Sequence, residues 1–152
     1  MRKVIILIVV LLVIAVGGFG WYYFNGPCGV NKVKHASEEL QAKITEFSDG
    51  VSVAESTARI SLSGPVGDLQ KIQRDTSDVQ VPSCMEDAKK LLTGGMRTSI
   101  DGFIAFMGQE SDTTVTGYFT DAQQQISVAR DEIEKVGTCA PFCKADPYKR
   151  VP

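Results

Sequence analysis

The chain has one histidine, His35, and neither of its asparagines begins an Asn-x-Ser/Thr glycosylation signal. No Cys-His or Ser-His-Asp pattern surrounds that imidazole, so no nucleophilic catalytic constellation stands out. His35 reads as a surface or helix-end residue. The acidic residues of "DTSD" (Asp75 and Asp78), with Glu110 and Asp112, lack the alternating oxygen ligands and the glycine of a calcium loop, and read as solvated helix ends. Cys-x-x-Cys is absent, which argues against a redox catalyst. No stretch gives convincing strand alternation. Basic residues are not in excess either, at 16 against 18 acidic. Since Arg2 and Lys3 fall in a head segment without acids, the remainder is more acidic than the formal charge of −2 implies. A nucleic-acid partner, which needs a basic face, is not expected. No enzymatic activity, cofactor or metal is expected.

Charge is also missing from Val4 to Phe24, a run of 21 residues. As a helix it would extend roughly 30 Å, about the thickness of one hydrocarbon core. Trp21, Tyr22 and Tyr23 stand at its far end, where aromatic rings favour the headgroup layer. Arg2 and Lys3 before the run predict a cytoplasmic N-terminus and a periplasmic or extracellular remainder. Residues 1–25 are therefore expected to be a transmembrane signal-anchor. Cleavage is the rival: Val4–Val16 fits a signal-peptide core, and Ala15-x-Gly17 and Gly18-x-Gly20 are passable cut sites. It would leave the same domain, secreted. Lipidation of Cys28 is opposed by Pro27 and by the distance from Val16.

Beyond residue 25 the pattern is helical. Val33, Ala36, Leu40, Ile44, Phe47, Val51, Ala54 and Ala58 step by three or four and predict a helix from about Asn31 to about Arg59, with Gly50 a weak point. "SLSGPVGD" reads as a break, with Ser63 able to cap and Pro65 suited to the first turn of a helix over Gly64 to about Val79. Pro82 opens a third helix running to about Gln109, whose apolar set includes Met85, Ala88, Leu92, Met96, Ile100, Phe103, Phe106 and Met107. Ser111 or Asp112 can cap a fourth helix, which Gly137 should stop. The predicted fold is all-α: one N-terminal transmembrane helix, then an extracytoplasmic antiparallel four-helix bundle over residues 26–139 and a disulfide-looped tail over 140–152.

On such a bundle Cys28, Cys84, Cys139 and Cys143 gather at the end next to the membrane. An even number of cysteines outside the cytoplasm points to disulfides. Cys28–Cys84 with Cys139–Cys143 is the favoured pairing; cross-pairing with the tail and a four-thiolate zinc site are the alternatives. Ala88, Gly95 and Gly102 recur every seven residues. They predict close helix packing within the bundle, or a groove for a partner helix or apolar ligand. The methionines and Phe103 and Phe106 read as core.

The layout resembles the outer sensory domains of bacterial receptors, although the chain carries no cytoplasmic signalling part. The expected function is that of an accessory or interaction subunit, with the lipid bilayer and other membrane subunits as partners. A ligand-binding or sensory module is the alternative.

Overall fold

A computed structural model of the chain describes residues 17, 18, 20, 21, 23, 24 and 26–140, with Cys139 described in its backbone alone. Among these residues the fold is all-helical and has no strands. Four helices carry it: α1 (Val30–Ser56), α2 (Ser63–Asp78), α3 (Glu86–Met107) and α4 (Asp112–Cys139). Short 3-10 turns, Arg59–Ser61 and Ser83–Met85, lead into α2 and α3.

The predicted periodicity is the one that buries. Val33, Ala36, Leu40, Ile44, Phe47 and Ala54 of α1 face inward, as do Val66, Leu69, Ile72 and Thr76 of α2. Thr76 satisfies its buried hydroxyl by donating to the Ile72 carbonyl at 2.7 Å. Leu40, Leu69, Met85, Leu92, Met96 and Ile133 are fully buried. Burial of such side chains stabilises by about 1.5–3 kcal/mol each.

Several boundaries differ from the sequence expectation, each for a local reason. Helix α1 ends at Ser56 rather than Arg59, because the hydroxyls of Ser56 and Thr57 both donate to the Val53 carbonyl, at 2.9 and 2.7 Å, and offer the last turn an alternative to helical bonding. Ala58 is consequently exposed. Ser63 does not cap α2: Leu62 occupies the cap position, and the preceding 3-10 turn feeds directly into the helix. Gly137 does not stop α4. The helix continues to Cys139, and Ala140 turns extended, as the residue before a proline prefers. Pro141 sets the stop. Ser111 caps α4 as expected, its hydroxyl accepting from the Thr114 N–H at 3.2 Å.

The end of α3 closes with a Schellman pair: the Gln109 N–H donates to the Phe106 carbonyl and the Glu110 N–H to the Ala105 carbonyl. Gln109 takes the left-handed conformation (φ 61°) that glycine usually fills. Phe106, predicted as core, is 40% exposed. Ala105 takes the buried position beside it, and the Arg59 guanidinium stacks over the Phe106 ring, 5.1 Å from its centre.

The helices run alternately up and down. Leu69 of α2 lies against Gly50, late in α1. Lys89 at the start of α3 donates to the Val79 carbonyl just past the end of α2. Along α3 and α4 the partners reverse in step: Gly95 meets Ile126, and Gly102 meets Tyr118 and Phe119. The closest packing in the molecule is between α3 and α4, whereas α1 and α4 touch along a much narrower strip.

Gly95 and Gly102 account for that close seat. A Cβ on Gly95 would stand 2.7 Å from Ile126 Cγ1 and 3.1 Å from the Ile126 backbone nitrogen. On Gly102 it would meet Tyr118 Cβ at 3.0 Å. Ala88 is buried on the same stripe. Gly117 of α4, by contrast, has nothing within 4 Å. Two glycine-to-alanine substitutions should therefore change stability in opposite directions. Gly117→Ala should stabilise by up to about 1 kcal/mol through helix propensity. Gly95→Ala should destabilise, the overpacking cost of about 1–3 kcal/mol exceeding that gain. Denaturation midpoints of the two variants check this.

Candidate functional site

Because α4 seats deeply on α3, it stands off from α1. A groove of about 300 Å³ opens between α1 and α4, open along one side. Ile44 and Phe47 of α1 and Ala122 of α4 form its apolar floor, all buried, with Ser99 of α3 beneath. Val51, Phe119 and Ile126 are only half-covered and form the apolar walls. Phe119 is held edge-on to Phe103, with ring centres 4.9 Å apart. Ser48, Gln123 and Ser127 line the rim.

Charge stands at the two ends. Glu55 lies one residue from the C-terminus of α1, at the far end of the fold. Arg130 lies on the last third of α4, toward the opposite end, because α4 runs against α1. Neither takes part in an ion pair among the described residues. The groove is thus an apolar trough with an anion at one end and a cation at the other.

A second feature is the base of the fold. Cys28 and Cys84 form a disulfide with Cα atoms 6.2 Å apart, within the usual range for such a bond. It joins the residues before α1 to the turn that opens α3, so both helices start at one end. Helix α4 contacts the Ser83–Met85 turn that holds Cys84, and Ala140, just beyond the helix, packs against the core. The backbone of Cys139 therefore arrives at the same end. The expected Cys139–Cys143 bond lies outside the described residues. Cross-pairing of the tail with Cys28 or Cys84 does not occur, since those two are partners.

Other residues singled out in the sequence are kept apart. Asp75 and Asp78 lie at the base end of α2, while Glu110, in the turn after α3, and Asp112, the first residue of α4, lie at the opposite end. His35 is exposed on α1, its Nδ1 3.8 Å from Glu39 Oε2. Glu39, Asp75 and Asp78 also surround Lys43, whose pKa is raised chiefly by the hydrogen bond it donates to Glu46, with desolvation opposing and the charges of Glu46, Asp75 and Glu39 adding to the rise. Among the described residues no three His, Cys, Asp or Glu side chains are grouped to hold a metal. Trp21 is 69% exposed, and Tyr23 meets Phe24 edge to face. Tyr22 lies outside the described residues. No helix among the described residues is long and apolar enough to cross a membrane, and most of Val4–Phe24 falls outside them.

The groove escaped sequence reading. Its six apolar liners are ordinary members of two helical stripes, and only the seven-residue glycine spacing hints that α4 leans toward α3. No family model, curated protein or solved structure matches the chain.

The disulfide closes a loop with a sequence separation of 56, which corresponds to about 4 kcal/mol in the chain-entropy treatment. Replacing Cys28 and Cys84 together by alanine should lower stability by about 2–4 kcal/mol. Equilibrium denaturation of the double variant beside the unreduced wild type measures this; unchanged stability would remove the disulfide from any structural role.

Proposed function

We propose that this chain is a membrane-anchored, extracytoplasmic helical-bundle protein that serves as an accessory subunit of a larger membrane assembly. The observation that carries the reading is the Cys28–Cys84 bond, which ties the starts of α1 and α3 together four residues beyond the last residue of the uncharged stretch Val4–Phe24. Such bonds persist in oxidising compartments. An uncharged run of that length suits a bilayer span, and Arg2 and Lys3 before it favour a cytoplasmic start. Together they describe a helical platform held upright by its base, with the groove of α1 and α4 facing sideways above the membrane surface.

The alternative, a ligand-binding or sensory module, draws on the same groove. The groove's open side leaves a small ligand partly exposed, whereas such ligands usually bury most of their surface, and this favours a protein surface as the occupant. A subunit of an assembly should leave the membrane in mild detergent as part of a stable complex. Size-exclusion chromatography with light scattering reads this directly. A mass several times that of the 16.5 kDa chain, after allowance for detergent, is the expected result. Recovery only as a free monomer would overturn the proposal.

A further inference from the structure

We infer that the groove between α1 and α4 receives an amphipathic helix of the partner subunit, running toward the membrane, with a basic residue at its upper end and an acidic residue at its lower end. The inference rests on the accessory-subunit reading and names the surface through which it works. The liners span Ile44–Glu55 on α1 and Phe119–Arg130 on α4. Each stretch advances roughly 16 Å at the α-helical rise, the length of three turns. A guest helix of that length presents apolar side chains at i, i+3, i+4 and i+7, the pattern by which helices fill such grooves. Val51, Phe119 and Ile126, half-covered in the free fold, are the groups left for it to cover.

The end charges choose among occupants. A helix carries its positive pole at the N-terminus and its negative pole at the C-terminus. Seated with its N-terminus at Glu55 and its C-terminus at Arg130, a guest helix meets a complementary charge at each end. Its chain then descends toward the bilayer, as a segment leading into a span must. A single-headed amphiphile satisfies one of the two charges and leaves its apolar tail beside the other. A second copy of this chain could match both charges only through a two-fold axis lying across the helices, which exchanges Glu55 of one copy with Arg130 of the other. That axis sets the copies head to tail, an arrangement closed to two copies anchored in one bilayer.

Photo-crosslinking in the native membrane tests this with the full chain. A photoreactive residue is placed at the exposed rim position Ser48 or Ser127, with Thr113 on another face of α4 as control. The expected result is a protein adduct from both rim positions and not from Thr113. Sequencing of the adduct should give one amphipathic helical segment, with the residues caught by Ser48 and Ser127 within about one turn of each other, since the two positions stand at nearly the same height in the groove. Glu55→Lys and Arg130→Glu, both at exposed positions and expected to keep the melting temperature, should each reduce the adduct roughly threefold, the scale of an exposed charge pair. Adducts with lipid or with this chain itself, adducts from Ser48 and Ser127 that map to separate segments, or yields indifferent to both charge substitutions would overturn the inference. Protein adducts from Thr113 alone would overturn it while leaving the accessory-subunit reading in place; recovery only as a free monomer would overturn both.

Discussion

The shape of this molecule depends on how closely α4 seats on α3. Gly95 and Gly102 remove the side chains that would hold the two backbones apart, so Ile126 and Tyr118 settle directly onto the α3 surface. An antiparallel ring of four helices cannot bring every neighbouring pair to minimum distance when the side chains at the contacts differ in size, since interaxial spacing follows those side chains. Closure between α3 and α4 is offset by separation between α4 and α1, and the groove is that separation. The same glycines that weaken α3 by propensity therefore shape its neighbour's exposed face. This is a trade of local helix preference for packing, of the kind in which tertiary contacts routinely prevail.

The disulfide acts on a different degree of freedom. It fixes the starts of α1 and α3 at one level, and the last turn of α4 reaches that level as well. With the base fixed, the direction of every helix follows from short connections: α2 must return to the base, and the turn after Met107 must lie at the top. The polarity of the groove is a consequence, because an antiparallel α4 carries Arg130 toward the base while α1 carries Glu55 toward the top.

Much of this was legible in the sequence, and the rest was not for identifiable reasons. The helices are written in steps of three and four, and the residues predicted to be buried in α1 are, with few exceptions, the ones that are. Boundaries were less legible because they depend on competition within a single turn: the hydroxyls of Ser56 and Thr57 against one carbonyl, or Pro141 against Gly137. Phe106 could not be placed from periodicity, since Arg59, distant in sequence, offers its ring a partner at the surface. Helix alternation brings Cys28 and Cys84 to one end but brings Cys139 and Cys143 there too, so their shared location was legible, whereas the pairing of Cys28 with Cys84 is settled by the structure. The groove was the least legible feature. It arises from a difference between two interhelical distances, and no single residue encodes a difference. Glu55 and Arg130 are surface charges like many others until the fold sets them at the two ends of one apolar trough.

The proposed function requires that the helical domain stand outside the cytoplasm, tethered by its N-terminal stretch, with the Cys28–Cys84 bond at its base. Peptide mapping without reduction, on protein isolated from its own membrane with free thiols blocked at lysis, tests this most directly. The account predicts a Cys28 peptide covalently joined to a Cys84 peptide, with the uncharged Val4–Phe24 stretch still attached to the chain. Blocked, unpaired thiols at Cys28 and Cys84, or a chain that begins after residue 24, would contradict it.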